Sequence, residues 1–138
     1  MKKLIILVVS VFFLLPLSNA QDRATFNTSR SLKLENESKE QHISIDVSDE
    51  YDTFALSIDS NIREGKMSIE ILDPSGEKQG NFSIGCQVGG VNNPTTKEVV
   101  QGQFRKTFQN PKKGKWIVKI IPQNANAQVQ IIVTQVQN

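Results

Sequence analysis

The residues able to do chemistry are few. His42 is the sole histidine and Cys86 the sole cysteine among 138 residues. A structural zinc site needs several Cys and His ligands, and a nucleophilic triad needs a base held beside its nucleophile. Neither set can be assembled from one of each. Cys86 falls in Phe82-Ser83-Ile84-Gly85-Cys86-Gln87-Val88, sharing a face with Phe82, Ile84 and Val88. The local sequence offers no His or Lys to lower its pKa, so it reads as a small buried apolar residue. Asp and Glu are plentiful but cluster in turns and at outward strand positions, as solubilising groups do. The expectation is a protein that is not an enzyme.

Binding chemistry is better represented. Asp46, Asp49, Glu50 and Asp52 crowd one connection. Calcium takes six to eight oxygens, so these four are candidate calcium ligands, although the spacing is not that of an EF-hand loop. The competing reading is a solvated acidic turn, with no cofactor. Tyr51, in the same turn, is a candidate contact residue. Lys112, Lys113 and Lys115 form a basic loop that could meet anionic glycans or lipid head groups. Charge is segregated along the chain: ten acids oppose five bases from Asp22 to Glu64, and seven bases oppose one acid from Lys97 to Lys119. The two stretches could equally neighbour and complement each other.

The elements that must hold these residues read as strands. In Trp116-Ile117-Val118-Lys119-Ile120-Ile121 and in Val129–Val133, alternate residues can enter a core. Pro111 and Gly114 punctuate the start of the first run, and Pro122, with no N–H for a ladder, is read as its end. Trp116 is read as a core plug. Ser31–Glu35, His42–Val47, Thr53–Asp59, Met67–Leu72, Asn81–Val88 and Val99–Phe108 carry the same period. Asn61–Gly65 reads as a turn, Asp73-Pro74-Ser75-Gly76 as a strong one, and Gly89–Thr96 as the longest loop. Gly102 and Lys106 on the inward face of the sixth run suggest a bulge there. Eight strand candidates with turns every eight to twelve residues predict an all-β antiparallel sandwich or jelly roll, with an open barrel as the alternative.

Lys2 and Lys3, the apolar run Leu4–Leu15, Pro16 and Ser18-Asn19-Ala20 form a signal peptide over residues 1–20, cleaved after Ala20. The apolar run is shorter than a bilayer span requires. Residues 21–29 read as a flexible leader and 30–138 as one domain. Loss of Lys2 and Lys3 brings sixteen basic residues down to the fourteen that match the acidic ones. A neutral mature chain is a poor ligand for nucleic-acid phosphates. The protein is therefore expected to be exported, periplasmic or secreted, with no membrane span in the mature chain and no nucleic-acid partner.

Three pieces in order carry a resemblance: the Gly-led strand Gly65–Leu72, the turn Asp73–Gly76, and the closing run Pro111–Ile120. Across residues 40–134 this order resembles the pre-peptidase C-terminal type of domain, a secreted bacterial β-sandwich appended to exported enzymes. The chain departs from that pattern in carrying only Ser68 and Glu70 where further acids are common, and in having no catalytic domain. The resemblance implies an accessory or binding role and transfers no catalytic residue. The expected function is a small exported module that binds a protein or surface polymer or assists an exported enzyme. Carbohydrate binding is the alternative, against which stands the scarcity of exposed aromatics. Assembly through an exposed edge strand is a further reading.

Overall fold

A computed structural model describes residues 23–86 and 99–138. The described residues form β1 (Thr25–Glu37), β2 (Gln41–Val47), β3 (Thr53–Leu72), β4 (Lys78–Cys86), β5 (Val100–Gln109) and β6 (Gly114–Val136), with no helix among them. All pairings are antiparallel within one six-stranded sheet. The expected signal peptide and its cleavage point, and the loop Gly89–Thr96, lie outside the described residues.

The organising feature is the pairing of two long strands, β3 with 20 residues and β6 with 23. They pair along nearly their whole length, from Thr53↔Val136 to Leu72↔Ile117. Each of their halves acquires a different neighbour. Thr53–Ile62 pairs β5 on its outer edge, and the β6 segment opposite pairs β1. Beyond the middle, Gly65–Leu72 pairs β4, and Gly114–Ile120 pairs β2. The ribbon thus carries two four-stranded arms, β1-β6-β3-β5 and β2-β6-β3-β4.

The eight candidate strands become six because one expected turn and one expected strand end, at Pro122, do not interrupt their strands. Asn61–Gly65 lies inside β3, and Pro122–Gln128 lies inside β6. The sequence pattern breaks at both places for a physical reason. In β3 the buried set runs Phe54, Leu56, Ile58, Ser60, Ile62, and then Met67, Ile69, Ile71. In β6 it runs Trp116, Val118, Ile120, Pro122, and then Ala125, Ala127, Val129, Ile131, Val133. Each strand slips from even to odd positions, and the register shifts between Ile62, Glu64 and Lys66 lie at the slip. A one-residue slip moves a whole side-chain set to the other strand face. The paired slips let both arms turn their apolar sets into one core. Pro122 is accommodated because the β2 ladder stops at Gln41↔Ile120, two residues earlier.

Gly65 makes the corner possible. Its φ is +79°, and a Cβ there would stand 2.3 Å from the Asn124 carbonyl oxygen and 2.4 Å from that of Gln123. Only glycine meets both demands. Asn124 takes the opposing left-handed position at φ +47°, and its amide N–H donates to Ser38 Oγ.

Side chains of the two arms meet in the interior. Phe54 on one arm packs edge-on against Trp116 on the other at 5.1 Å, and Phe108 lies 4.9 Å from Trp116. Phe82 of β4 stacks on Phe104 of β5 at 5.8 Å. Trp116 is 2 % exposed, as a core plug should be. Cys86 is half-buried against the same core.

Two further expectations change. Thr25–Ser29, read as leader, pair with Ile132–Val136, so β1 begins five residues before the expected domain boundary. Their polar, aperiodic sequence suits an edge strand that buries little. The expected bulge in β5 is absent: the ladder from Thr53↔Gln109 to Ile62↔Val100 is regular. Gly102 serves space instead, since a Cβ there would lie 2.9 Å from Ile84 Cδ1. Lys106 stays at the rim, donating to the Gln79 carbonyl at 2.6 Å while its ammonium lies 5.0 Å from the Phe108 ring centre.

Candidate binding site

The acidic connection and the basic loop, about sixty residues apart in sequence, meet at one end of the ribbon. The Asn110 N–H donates to the Asp52 carbonyl at 2.7 Å, and Asp52 N–H donates to the Val136 carbonyl at 3.1 Å. Lys113 Nζ donates to the Tyr51 carbonyl. The acidic connection and the basic loop are therefore neighbours here, with Asp46 opposite Lys115 across the β2–β6 ladder.

The calcium set is not assembled. Among the described residues no three His, Cys, Asp or Glu side chains gather as a cation site. Asp52 instead caps the C-terminus: its Oδ1 accepts from Asn138 Nδ2 at 2.7 Å and from Thr53 Oγ1 at 3.2 Å. Asp46 lies on the exposed face of β2, and Asp49 and Glu50 are exposed in the turn. Strand alternation sends Asp46 outward while the turn carries the other acids beyond the strand end, so the four do not converge.

The basic loop is divided in the same way. Lys112 Nζ reaches across to the turn after β3, where it donates to Asp73 Oδ2 at 2.6 Å and Ser75 Oγ at 2.9 Å and lies 3.3 Å from Glu77 Oε2. Asp73 is buried, and its Oδ1 accepts from Ser75 N–H, Ser75 Oγ and Glu77 N–H at 2.9, 2.6 and 3.0 Å. Gln79 Nε2 donates to Oδ2 at 3.0 Å. The Lys112 ammonium foremost, and then the Ser75 hydroxyl, hold this carboxyl well below the usual range, and Asp73 in turn raises the Lys112 pKa. Trp116 Nε1 donates to the Lys112 carbonyl at 2.8 Å, fixing the loop from below. Lys112 is thus a clamp between loops. Of the three lysines, Lys115 is the one without a side-chain bond to another loop among the described residues.

An aromatic pair that sequence reading missed borders this end. Phe26 is 47 % exposed, and its ring lies 6.5 Å from that of Tyr51. Phe26 was hidden in the supposed leader; only the pairing of Phe26 with Gln135 places it beside the loop. His42 lies elsewhere, exposed on β2, with Nε2 against Glu40 Oε1, which Lys119 also approaches at 3.4 Å.

No family model and no curated protein matches the chain. A solved structure of Bacillus endospore appendages, described as a novel family of disulfide-linked pili, is similar over 84 % of this chain and 89 % of that one, with 9 % identity and a TM-score of 0.46. At that level the likeness carries no argument about function. No described helix is long and apolar enough to cross a membrane.

Proposed function

We propose that the protein is a small exported, non-catalytic module that binds a protein or a surface polymer, or assists an exported enzyme, through its loop-bearing end. Its two arms form a face-packed sandwich of the jelly-roll kind, a reading supported by the Phe54–Trp116 and Phe82–Phe104 contacts between arms. The signal peptide and the resemblance to pre-peptidase C-terminal domains support export and an accessory role.

The observation that carries the reading is the Phe26–Tyr51 pair, half open to solvent beside the exposed Asp49 and Glu50, with Lys113 bonded to the Tyr51 carbonyl. Aromatic anchors with a charged rim are the usual make-up of a binding surface, and a rigid β frame presents such contacts on its loops. The test offers wild-type protein and a Phe26→Ala, Tyr51→Ala double variant to the exported protein fraction and to insoluble cell-surface material. Saturable binding that weakens at least tenfold in the variant is expected. Equal binding by the two would overturn the assignment of this end.

A further inference from the structure

The outward face of the β1-β6-β3-β5 arm differs from the rest of the surface. Strand register places one row across it as Ser31–Gln130–Asp59–Gln103. The adjacent row is Lys33–Gln128–Asn61–Gln101. From the row of Thr25 to that of Lys33 the outward positions are dominated by Ser, Thr, Asn and Gln, and only Lys33, Asp59 and Arg105 are charged. The outward face of the other arm is an internal control. It carries the ordinary mixture, with His42, Lys119 and Glu70 in one row and Asp46 opposite Lys115 in another.

Two shallow depressions share Lys33, Asn61 and Gln128 and run together as one trough; the smaller lies within this face, and the larger extends past it to Glu35, Arg63 and Glu64. Their volumes are about 410 and 680 Å³. At the trough, Asp59 Oδ1 is buried and accepts no hydrogen bond from the described residues. Arg105 Nη2 stands 4.0 Å away, beyond hydrogen-bond reach. Ile132, 36 % exposed, sits one row further along.

We propose that this trough binds a neutral polysaccharide chain. The inference goes beyond the loop-end reading, because it uses a different surface, and it names the ligand class. Each amide offers two donors and an acceptor, and each hydroxyl offers both, which matches the dual character of sugar hydroxyls. A flat sheet spaces such groups about 4.8 Å apart between strands and about 7 Å along them, a grid that an extended polymer can follow. The exposed part of the Asp59 carboxylate accepts a hydrogen bond from a sugar hydroxyl, Gln130 and Gln103 flank it, and Ile132 meets a C–H face of the ring. Depleted charge removes the attraction an anionic polymer or nucleic acid needs. The face carries no aromatic anchor of the kind protein interfaces use, and Arg105 is the one arginine on its outward positions.

The experiment is native electrophoresis of the full mature chain through gels cast with soluble hydroxyethyl cellulose, galactomannan or dextran, and with anionic alginate as the contrast. Retardation in at least one neutral gel is expected, unchanged at 0.5 M NaCl. Asp59→Asn and Gln130→Ala should each reduce it at least fivefold, whereas Ser68→Ala on the opposite arm leaves it unchanged. Matching melting curves establish that the variants are folded. No retardation in any neutral gel, retardation only by alginate, or retardation that survives both substitutions would overturn the proposal. Loss of glycan binding in the Asp59 variant with Phe26- and Tyr51-dependent binding intact separates this face from the loop end.

Discussion

Gln135 Nε2 donates to the Asp46 carbonyl at 2.9 Å, tying the last strand of one arm to β2 of the other. Its Oε1 accepts from the Ser48 N–H at 3.2 Å, and the side chain is 2 % exposed. Gln135→Leu keeps the volume and strands both backbone groups. A loss of about 1–3 kcal/mol is expected, measured by urea unfolding with an unchanged m-value.

Lys112 and Asp73 make stability depend on pH at both extremes. Asp73 has a depressed pKa in the folded state, so its contribution is present above the unfolded value of about 3.9 and is lost as pH falls further. The Lys112 pKa is raised, so its contribution is present below the unfolded value of about 10.4 and lost as pH rises through the folded one. Melting curves from pH 2 to 11 should show a plateau bounded on both sides. Asp73→Asn and Lys112→Met should each flatten both shoulders, and identical pH profiles in wild type and variants would contradict the clamp.

Gly65→Ala should lower stability by roughly 3 kcal/mol, combining a left-handed φ with a collision against backbone oxygens. For a chain of this size that is about 10 °C in melting temperature. Gly76 has φ +80° but only open space within 4 Å of where a Cβ would stand, so Gly76→Ala should cost only about 1 kcal/mol. Equal effects at the two glycines would remove the corner argument.

Calcium at millimolar concentration should leave the melting midpoint within error of that in chelator, since Asp52 is engaged by Asn138 and Asp46 points away along β2. A rise of several degrees would restore the acidic turn as a metal site.

Much of the frame was legible because strand alternation is a local signal. Phe54, Leu56, Ile58 and Trp116, Val118, Ile120 announced their inward faces. What misled was the slip: Asn61–Gly65 and Pro122–Gln128 contain Gly, Pro and Asn, and the pattern loses phase there, which in sequence looks the same as a turn. The charged residues were found as residues but not as partners. Asp73 and Lys112 are 39 positions apart, and nothing local in either shows that the turn and the loop face each other. Phe26 was missed because an edge strand buries little and needs no period, and the neutral face emerged only once the register aligned four strands.

The paired slips in β3 and β6 set a rule for how chain length can vary. Removing Arg63 alone would put Met67, Ile69 and Ile71 on the same phase as Phe54–Ile62 and abolish the slip in β3, while β6 kept its own, so the ladder on one side of the corner would fall one residue out of register. Gains and losses of single residues should therefore be tolerated in the connections Ser48–Asp52 and Ser38–Glu40, and at the corner only in matched pairs, one in each long strand.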